Sequence, residues 1–164
     1  MAAACGPKVD HTVVDIDGNA VKLSDYRGKV LVVVNVASEC GFTPQYADLQ
    51  KLYATYQARG VEVFAFPSND YGGQEPGDRA KIKELAVTEY GATFKLFDKV
   101  HATGPEIAPL YEMLTTKVAE PLRGPVKWNF EKFVVDKTGT VVARFPSKVE
   151  PLDPALTAAI DAVL

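Results

Sequence analysis

Three features of the sequence predict an α/β fold in which helices flank a central mixed β-sheet. The run KVLVVVNV, Lys29 to Val36, is apolar and largely β-branched with no polar face, as a strand covered on both sides requires. A helical period beginning near Pro44 and a second apolar run, Val61 to Phe66, follow it directly, which makes a strand–helix–strand unit. Phe133 to Val135 and Thr140 to Phe145 then stand on either side of Asp136-Lys137-Thr138-Gly139 with no helix between them, an antiparallel pairing that a purely parallel sheet does not contain.

The other elements follow in order. Thr12 to Ile16 and Ala20 to Leu23 alternate weakly around Asp17-Gly18-Asn19, a hairpin signal because glycine accepts positive φ without steric cost. Leu49, Leu52, Tyr53 and Tyr56 mark one face of the first helix, with Thr43 as its expected N-cap, Pro44 at its first position and Arg59-Gly60 at its end. After the strand ended by Pro67 comes the Gly/Pro-rich loop SNDYGGQEPGD, and Asp78 is placed to cap a helix carrying Ile82, Leu85 and Ala86. Phe94 to Phe97 is a short apolar run, and Pro105 to Thr116 reads as a helix with Ile107, Leu110 and Leu114 inward. Residues 117–127 are polar and irregular. A last helix starts near Asp153-Pro154 and turns Leu156, Ile160, Val163 and Leu164 inward. This order is the thioredoxin-like pattern, with another flavodoxin-sized α/β sandwich as the alternative. One domain spanning 1–164 is expected, with 1–10 as a loose tail.

Composition narrows the function. The 164 residues are 47% hydrophobic and 24% charged, a globular balance, and the formal net charge of −3 offers no long-range attraction to nucleic acid or an anionic membrane. No apolar run reaches the ~20 residues of a membrane span, and MAAACGPKVD has neither the basic start nor the apolar core of a signal peptide. Two cysteines and two histidines show no zinc-ligand spacing, so no metal or bound cofactor is expected. Reduced single thiols suit the cytoplasm; Ala2-Ala3-Ala4-Cys5 faintly resembles a bacterial lipidation box, which leaves an exported or lipid-anchored origin as the alternative.

Cys40, in NVASECGFTPQY, lies between the central strand and a helix, where open α/β sheets gather reactive groups and where helix N–H groups favour a thiolate. A buried structural cysteine is the plain alternative. Cys40-Gly41-Phe42-Thr43 lacks the second cysteine of a dithiol exchanger, and His11 and His101 sit in polar, loop-like settings, where surface histidines are common. The natural task of one activated thiolate is attack on a peroxide, which breaks the O–O bond and leaves a sulfenic acid.

NVASECGFTPQY, FPSNDYGGQEPG and WNFEKFVVDKTGTVVARF closely resemble the three signature stretches of the glutathione peroxidase family, in the family's order and spacing. The resemblance runs from about Thr12 to the C-terminal helix. It implies a thioredoxin-fold peroxidase of the cysteine type, with Cys40 in the peroxidatic place and Gln74, Trp128 and Asn129 as its site partners. Alone, Trp128 would read as core filling and Gln74 as a turn residue. In the family pattern they become donors that stabilise a thiolate and orient the peroxide.

Departures from the pattern shape the expected cycle. Val87 stands where many cysteine-type members carry a resolving cysteine, Ser68 replaces a frequent cysteine, and Asp70 replaces a glutamine, adding negative charge near the site. The resemblance then implies reduction of the sulfenic acid by an external thiol, glutathione or a thioredoxin-like protein, unless Cys5 reaches the site. The short stretch before WNF resembles the monomeric members that accept bulky and lipid hydroperoxides. Lys127 and Lys132 are candidates for the carboxylates of glutathione, against a reading as solvated surface lysines. The rival functions are a redox sensor or relay that forms mixed disulfides with a client protein, and a binding module with an inert cysteine.

Overall fold

The computed structural model describes residues 7–164. Cys5, and with it any part it takes in the cycle, lies outside the described residues. The small hairpin β1 (Thr12–Val14) and β2 (Ala20–Lys22) is followed by β3 (Val30–Val36), α1 (Gln45–Tyr56), β4 (Val61–Pro67) and α2 (Arg79–Lys83). Then come β5 (Lys95–Leu96), α3 (Pro109–Thr116), β6 (Lys132–Val135), β7 (Val141–Phe145) and α4 (Pro154–Asp161). The five-stranded sheet has the order β5-β4-β3-β6-β7. β4 runs parallel to β3 and β5, while β6 is antiparallel to both β3 and β7.

The predicted central strand is central, and its alternation divides the core. Val30, Val32, Val34 and Val36 face one apolar layer, which holds Tyr46, Leu49 and Leu52 of α1 and Leu156 and Ile160 of α4. Leu31 and Val33 face the other, with Phe64, Phe66, Phe97 and Leu110, Tyr111 and Leu114 of α3. A period of two on a strand buried on both faces leaves no polar side, which is why the sequence shows none. Asp78 and Asp153 cap α2 and α4, accepting the N–H of Lys81 at 3.0 Å and of Ala155 at 2.8 Å.

Four expectations are corrected. Thr43 does not cap α1, because its hydroxyl is engaged in the preceding turn. The helix expected from Pro105 begins at Pro109, preceded by extended Ala108. The helix carrying Ile82, Leu85 and Ala86 is α-helical only to Lys83 and widens to a π-helix over Glu84–Glu89. Of the tail expected over 1–10, the described residues from 7 onward are held by Val9, fully buried, whose N–H meets the Gly139 carbonyl at 2.8 Å while its own carbonyl accepts from Arg27.

Candidate active site

Strand direction brings the three motif loops to one end of the sheet. Val36 ends β3 opposite Pro67, the end of parallel β4, and antiparallel β6 enters at Lys132 opposite Val34. The loop after β3 carries Cys40, the loop after β4 carries Gln74, and the turn before β6 carries Trp128 and Asn129. This is the carboxyl end of the parallel strands, the usual place for chemistry in an open sheet.

Cys40 opens a tight turn that winds into α1. Its Sγ accepts the N–H of Phe42 at 3.3 Å, and its own N–H donates to Thr43 Oγ1 at 2.9 Å. The two bonds close the turn on itself ahead of α1, whose own N-cap, Pro44, makes no side-chain bond. Thr43 in turn donates to the Ala37 carbonyl at 2.8 Å, so the residue that replaces a second cysteine fixes the loop. The Phe42 N–H is thus the backbone donor on the sulfur, in the turn that leads into α1. Cys40 is buried, with 7% of its surface open.

Gln74 is tied to the cysteine loop and to Asn129. Its carbonyl accepts from the N–H of Glu39, adjacent to Cys40, at 2.9 Å, and its Oε1 accepts from Asn129 Nδ2 at 3.0 Å. Asn129 Nδ2 also lies 3.4 Å from the Tyr71 carbonyl, an acceptor only, which fixes the nitrogen on that side. The chain of acceptors therefore leaves the NH₂ of Gln74 as the free donor. Trp128, half-buried, packs edge-on against Tyr71 with ring centroids 6.0 Å apart. Gly72 lies between Trp128 and Gln74 at φ +69°, where a Cβ would stand 3.0 Å from the indole and 3.5 Å from Gln74 Cγ; only glycine permits the approach.

A family model for glutathione peroxidase matches residues 9–115. The chain belongs to the glutathione peroxidase family. It is 45% identical over 142 residues to the glutathione peroxidase of Lactococcus lactis, covering 87% of this chain and 90% of that one. It is 49% identical over 142 residues to a hydroperoxy fatty acid reductase of Synechocystis, covering 83% and 84%. Against the chloroplastic phospholipid hydroperoxide glutathione peroxidase 1 of Arabidopsis thaliana it is 49% identical over 143 residues, spanning 87% of this chain and 61% of that longer one. Among solved structures, Trgpx in its apo form superposes with a TM-score of 0.74 at 33% identity, covering 94% and 93% of the two chains. A thioredoxin-family thiol:disulfide interchange protein of Chlorobium tepidum matches at 0.69 with 18% identity over 96% and 95%, which establishes the thioredoxin-like fold alone. The activity of this glutathione peroxidase family member is thiol-dependent reduction of peroxides.

The departures from the family pattern each have a structural setting. Ser68, fully buried, donates to Asp70 Oδ2 at 2.9 Å, and Asp70 also accepts from the Ala102 N–H and meets His101 Nδ1, both at 2.7 Å. Burial raises the Asp70 pKa, but the bonds from His101, Ala102 and Ser68 outweigh it and hold the carboxyl below its ordinary value. Asp70, chiefly through its hydrogen bond, holds His101 above its own. The negative charge expected near the site is thus bonded to His101, a partner that the loop reading of that histidine did not supply. His101 contributes stability below its unfolded pKa that is lost as pH rises through the raised folded one. Asp70 contributes above its unfolded pKa, and that is lost as pH falls through the lowered folded one. In Asp70→Asn the pKa of His101 is expected to fall toward the ordinary imidazole value, read by NMR titration of its ring protons; an unchanged titration refutes the pairing.

Val87 lies on the π-helical turn with 45% of its surface exposed. Lys127 is exposed, but Lys132 is fully buried on β6 and donates to the carbonyls of Ser147 at 3.1 Å and of Val149. Lys132 is therefore removed as a ligand for glutathione; it braces the 147–149 segment instead.

Two further residues escaped the sequence reading. Glu75, fully buried beside Gln74, accepts the Ser38 N–H at 3.1 Å through Oε1, and burial pushes its pKa up against the pull of that bond. Its signal was a carboxylate in the Gly/Pro-rich loop after β4, directly after Gln74. Asn35, the lone polar residue of β3, is fully buried as well.

Proposed function

We propose that Cys40 is the peroxidatic residue of a one-cysteine cycle, with Gln74, Trp128 and Asn129 completing the site. The Cys40 thiolate attacks the terminal oxygen of ROOH, the O–O bond breaks, and one proton goes to the departing alkoxide; the products are Cys40 sulfenic acid and ROH. A first external thiol condenses with the sulfenic acid, releasing water and leaving a mixed disulfide. A second thiol takes that bond and returns Cys40 to the thiol as the two reductant sulfurs pair. The observation that carries the reading is the turn ahead of α1 in which Cys40 Sγ accepts a backbone N–H, joined through Glu39 to the Gln74–Asn129 pair. Gln74 supplies the free NH₂ toward the developing charge, Asn129 holds that amide in place, and the Trp128 indole offers a further donor.

No resident cofactor or metal enters this cycle. Cys40 is the only cysteine among the described residues, which supports an external reductant, glutathione or a thioredoxin-like protein. The substrates are hydrogen peroxide and organic hydroperoxides, lipid hydroperoxides included, in keeping with relatives named for phospholipid and fatty acid hydroperoxides. The protein works as a monomer, and its unpaired thiol suits the cytoplasm. Among the described residues no helix is long and apolar enough to cross a membrane.

Trp128 is the sole tryptophan and reports the first step. Stopped-flow mixing of reduced protein with cumene hydroperoxide is expected to give a fluorescence change whose rate rises linearly with peroxide. Intact mass should show one added oxygen on Cys40, and a second mixing step with glutathione or thioredoxin should reverse both. Oxidation that neither thiol reverses favours the relay. Cys40 left unoxidised after prolonged exposure overturns the reading.

A further inference from the structure

β3 is buried along its whole length, and six of its seven side chains are aliphatic. The seventh, Asn35, is fully buried in a place where an apolar residue would cost nothing to bury. It is held there by the turn that precedes β6. Asn35 Nδ2 donates to the Trp128 carbonyl at 3.0 Å, Oδ1 accepts the Glu131 N–H at 3.1 Å, and the Asn35 carbonyl accepts the Phe130 N–H at 2.6 Å. The first two partners are respectively acceptor-only and donor-only, so the amide has one orientation.

The turn it grips is strained. Phe130 has φ +65°, the only positive φ among the described residues outside glycine. A non-glycine residue in that region costs on the order of 1–3 kcal/mol and persists where its surroundings over-determine it. Asn35 bonds Trp128, two residues before Phe130, then Phe130 itself and Glu131 directly after it. The strained residue lies directly after Asn129, whose amide sets the orientation of Gln74.

We propose that Asn35 is a positioning residue for peroxide reduction: from the central strand it sets the Trp128–Asn129 turn, and through Asn129 it aims the Gln74 amide donor. The inference rests on the reading of Cys40, Gln74 and Asn129 given above. Asn35 touches no reacting atom; its effect passes through the turn. A purely structural asparagine would serve the fold equally well whichever way Gln74 pointed.

Asn35→Asp tests this because one of its protonation states keeps the bonds and the other does not. A neutral carboxylic acid still donates to the Trp128 carbonyl and accepts from the Glu131 N–H. A carboxylate sets two acceptors against each other at Trp128. Glu131, bonded to Arg144, lies just before the strand paired with β3, Lys132 lies on that strand, and Phe66 stands opposite Asn35 on β4; all are common to both proteins, so the ratio of variant to wild-type rates isolates residue 35. Second-order oxidation of Cys40 by hydrogen peroxide is expected to fall on the order of 10²-fold in the ionised variant, as for an ångström-scale misplacement. The ratio should recover as pH falls and the new carboxyl takes up its proton, with Trp128 emission returning to the wild-type spectrum over the same range.

Alkylation of Cys40 by iodoacetamide, which needs the thiolate but not the Gln74 donor, should change far less. A folded Asn35→Asp with wild-type oxidation at every pH overturns the inference, as does a loss that no pH restores. If that variant does not fold, Asn35→Ser replaces it: oxidation slowed at all pH values with red-shifted Trp128 emission is the expected result, and a wild-type rate overturns the proposal. Wild-type protein whose Cys40 fails to react with peroxide sinks the underlying reading instead, so the two failures are distinct.

Discussion

Cys40→Ser is expected to abolish peroxide reduction, leaving only the direct reaction of thiol with peroxide in solution. The substitution keeps the turn: a serine hydroxyl at the same place can accept the Phe42 N–H, and the backbone N–H of residue 40 can still bond Thr43. The fold should therefore survive with a melting temperature near wild type, and the loss can be assigned to chemistry. An alcohol is not ionised near neutral pH and does not open an O–O bond as a thiolate does. Gln74→Ala supplies the graded comparison. It removes the donor whose orientation is fixed by Asn129 but leaves the nucleophile, and losing one charge-stabilising donor lowers a rate on the order of 10²–10³-fold. Steady-state turnover with cumene hydroperoxide and glutathione, coupled to glutathione reductase, measures both. Undiminished turnover in Cys40→Ser refutes the cycle, and a normal oxidation rate in Gln74→Ala removes that residue from the site.

What could be read beforehand divides along physical lines. The β-branched run of β3, the hairpin of β6 and β7, and the caps at Asp78 and Asp153 are local patterns, visible because strand period and side-chain capping act over a few residues. Cys40, Gln74, Trp128 and Asn129 were legible as motifs, and the structure collects their loops at one end of the sheet. Properties set by distant partners were not legible. Thr43 looks like an N-cap until the Ala37 carbonyl claims its hydroxyl, and the widening of the helix at Glu84 has no marker in its sequence. Asn35 was lost inside an apolar run because its importance lies in a turn nearly a hundred positions later. His101 became a hydrogen-bond partner only through Asp70, on a separate loop.

Lys132 shows the same limit most sharply, and it carries the largest expected effect on stability. A lysine beside WNF reads as a solvent-facing cation, yet β6 is flanked by β3 and β7, so all of its residues are buried. Burial pushes the Lys132 pKa down to about 7, against the upward pull of Glu131 and Glu150. Between about 7 and an unfolded value of ~10.4 the unfolded chain keeps a proton that the folded chain gives up. Stability therefore rises with pH across that interval, with an upper bound of about 5 kcal/mol, and below it both states are charged and the gain is absent. Lys132→Met should abolish the rise, because a thioether does not titrate, while it leaves the Ser147 and Val149 carbonyls without this donor. Urea unfolding of both proteins from pH 6 to pH 10 measures the difference in slope, and parallel profiles refute the buried-amine account. Gln45, in the first turn of α1, donates to the same Ser147 carbonyl at 2.8 Å. The segment that Lys132 braces thus also supports the helix that follows the Cys40 turn. Since Lys132 touches no reacting group, peroxide oxidation of Cys40 in Lys132→Met should stay within a few-fold of wild type at pH values where the variant is folded. A loss as large as that in Gln74→Ala would place the 147–149 segment inside the catalytic machinery rather than beneath it.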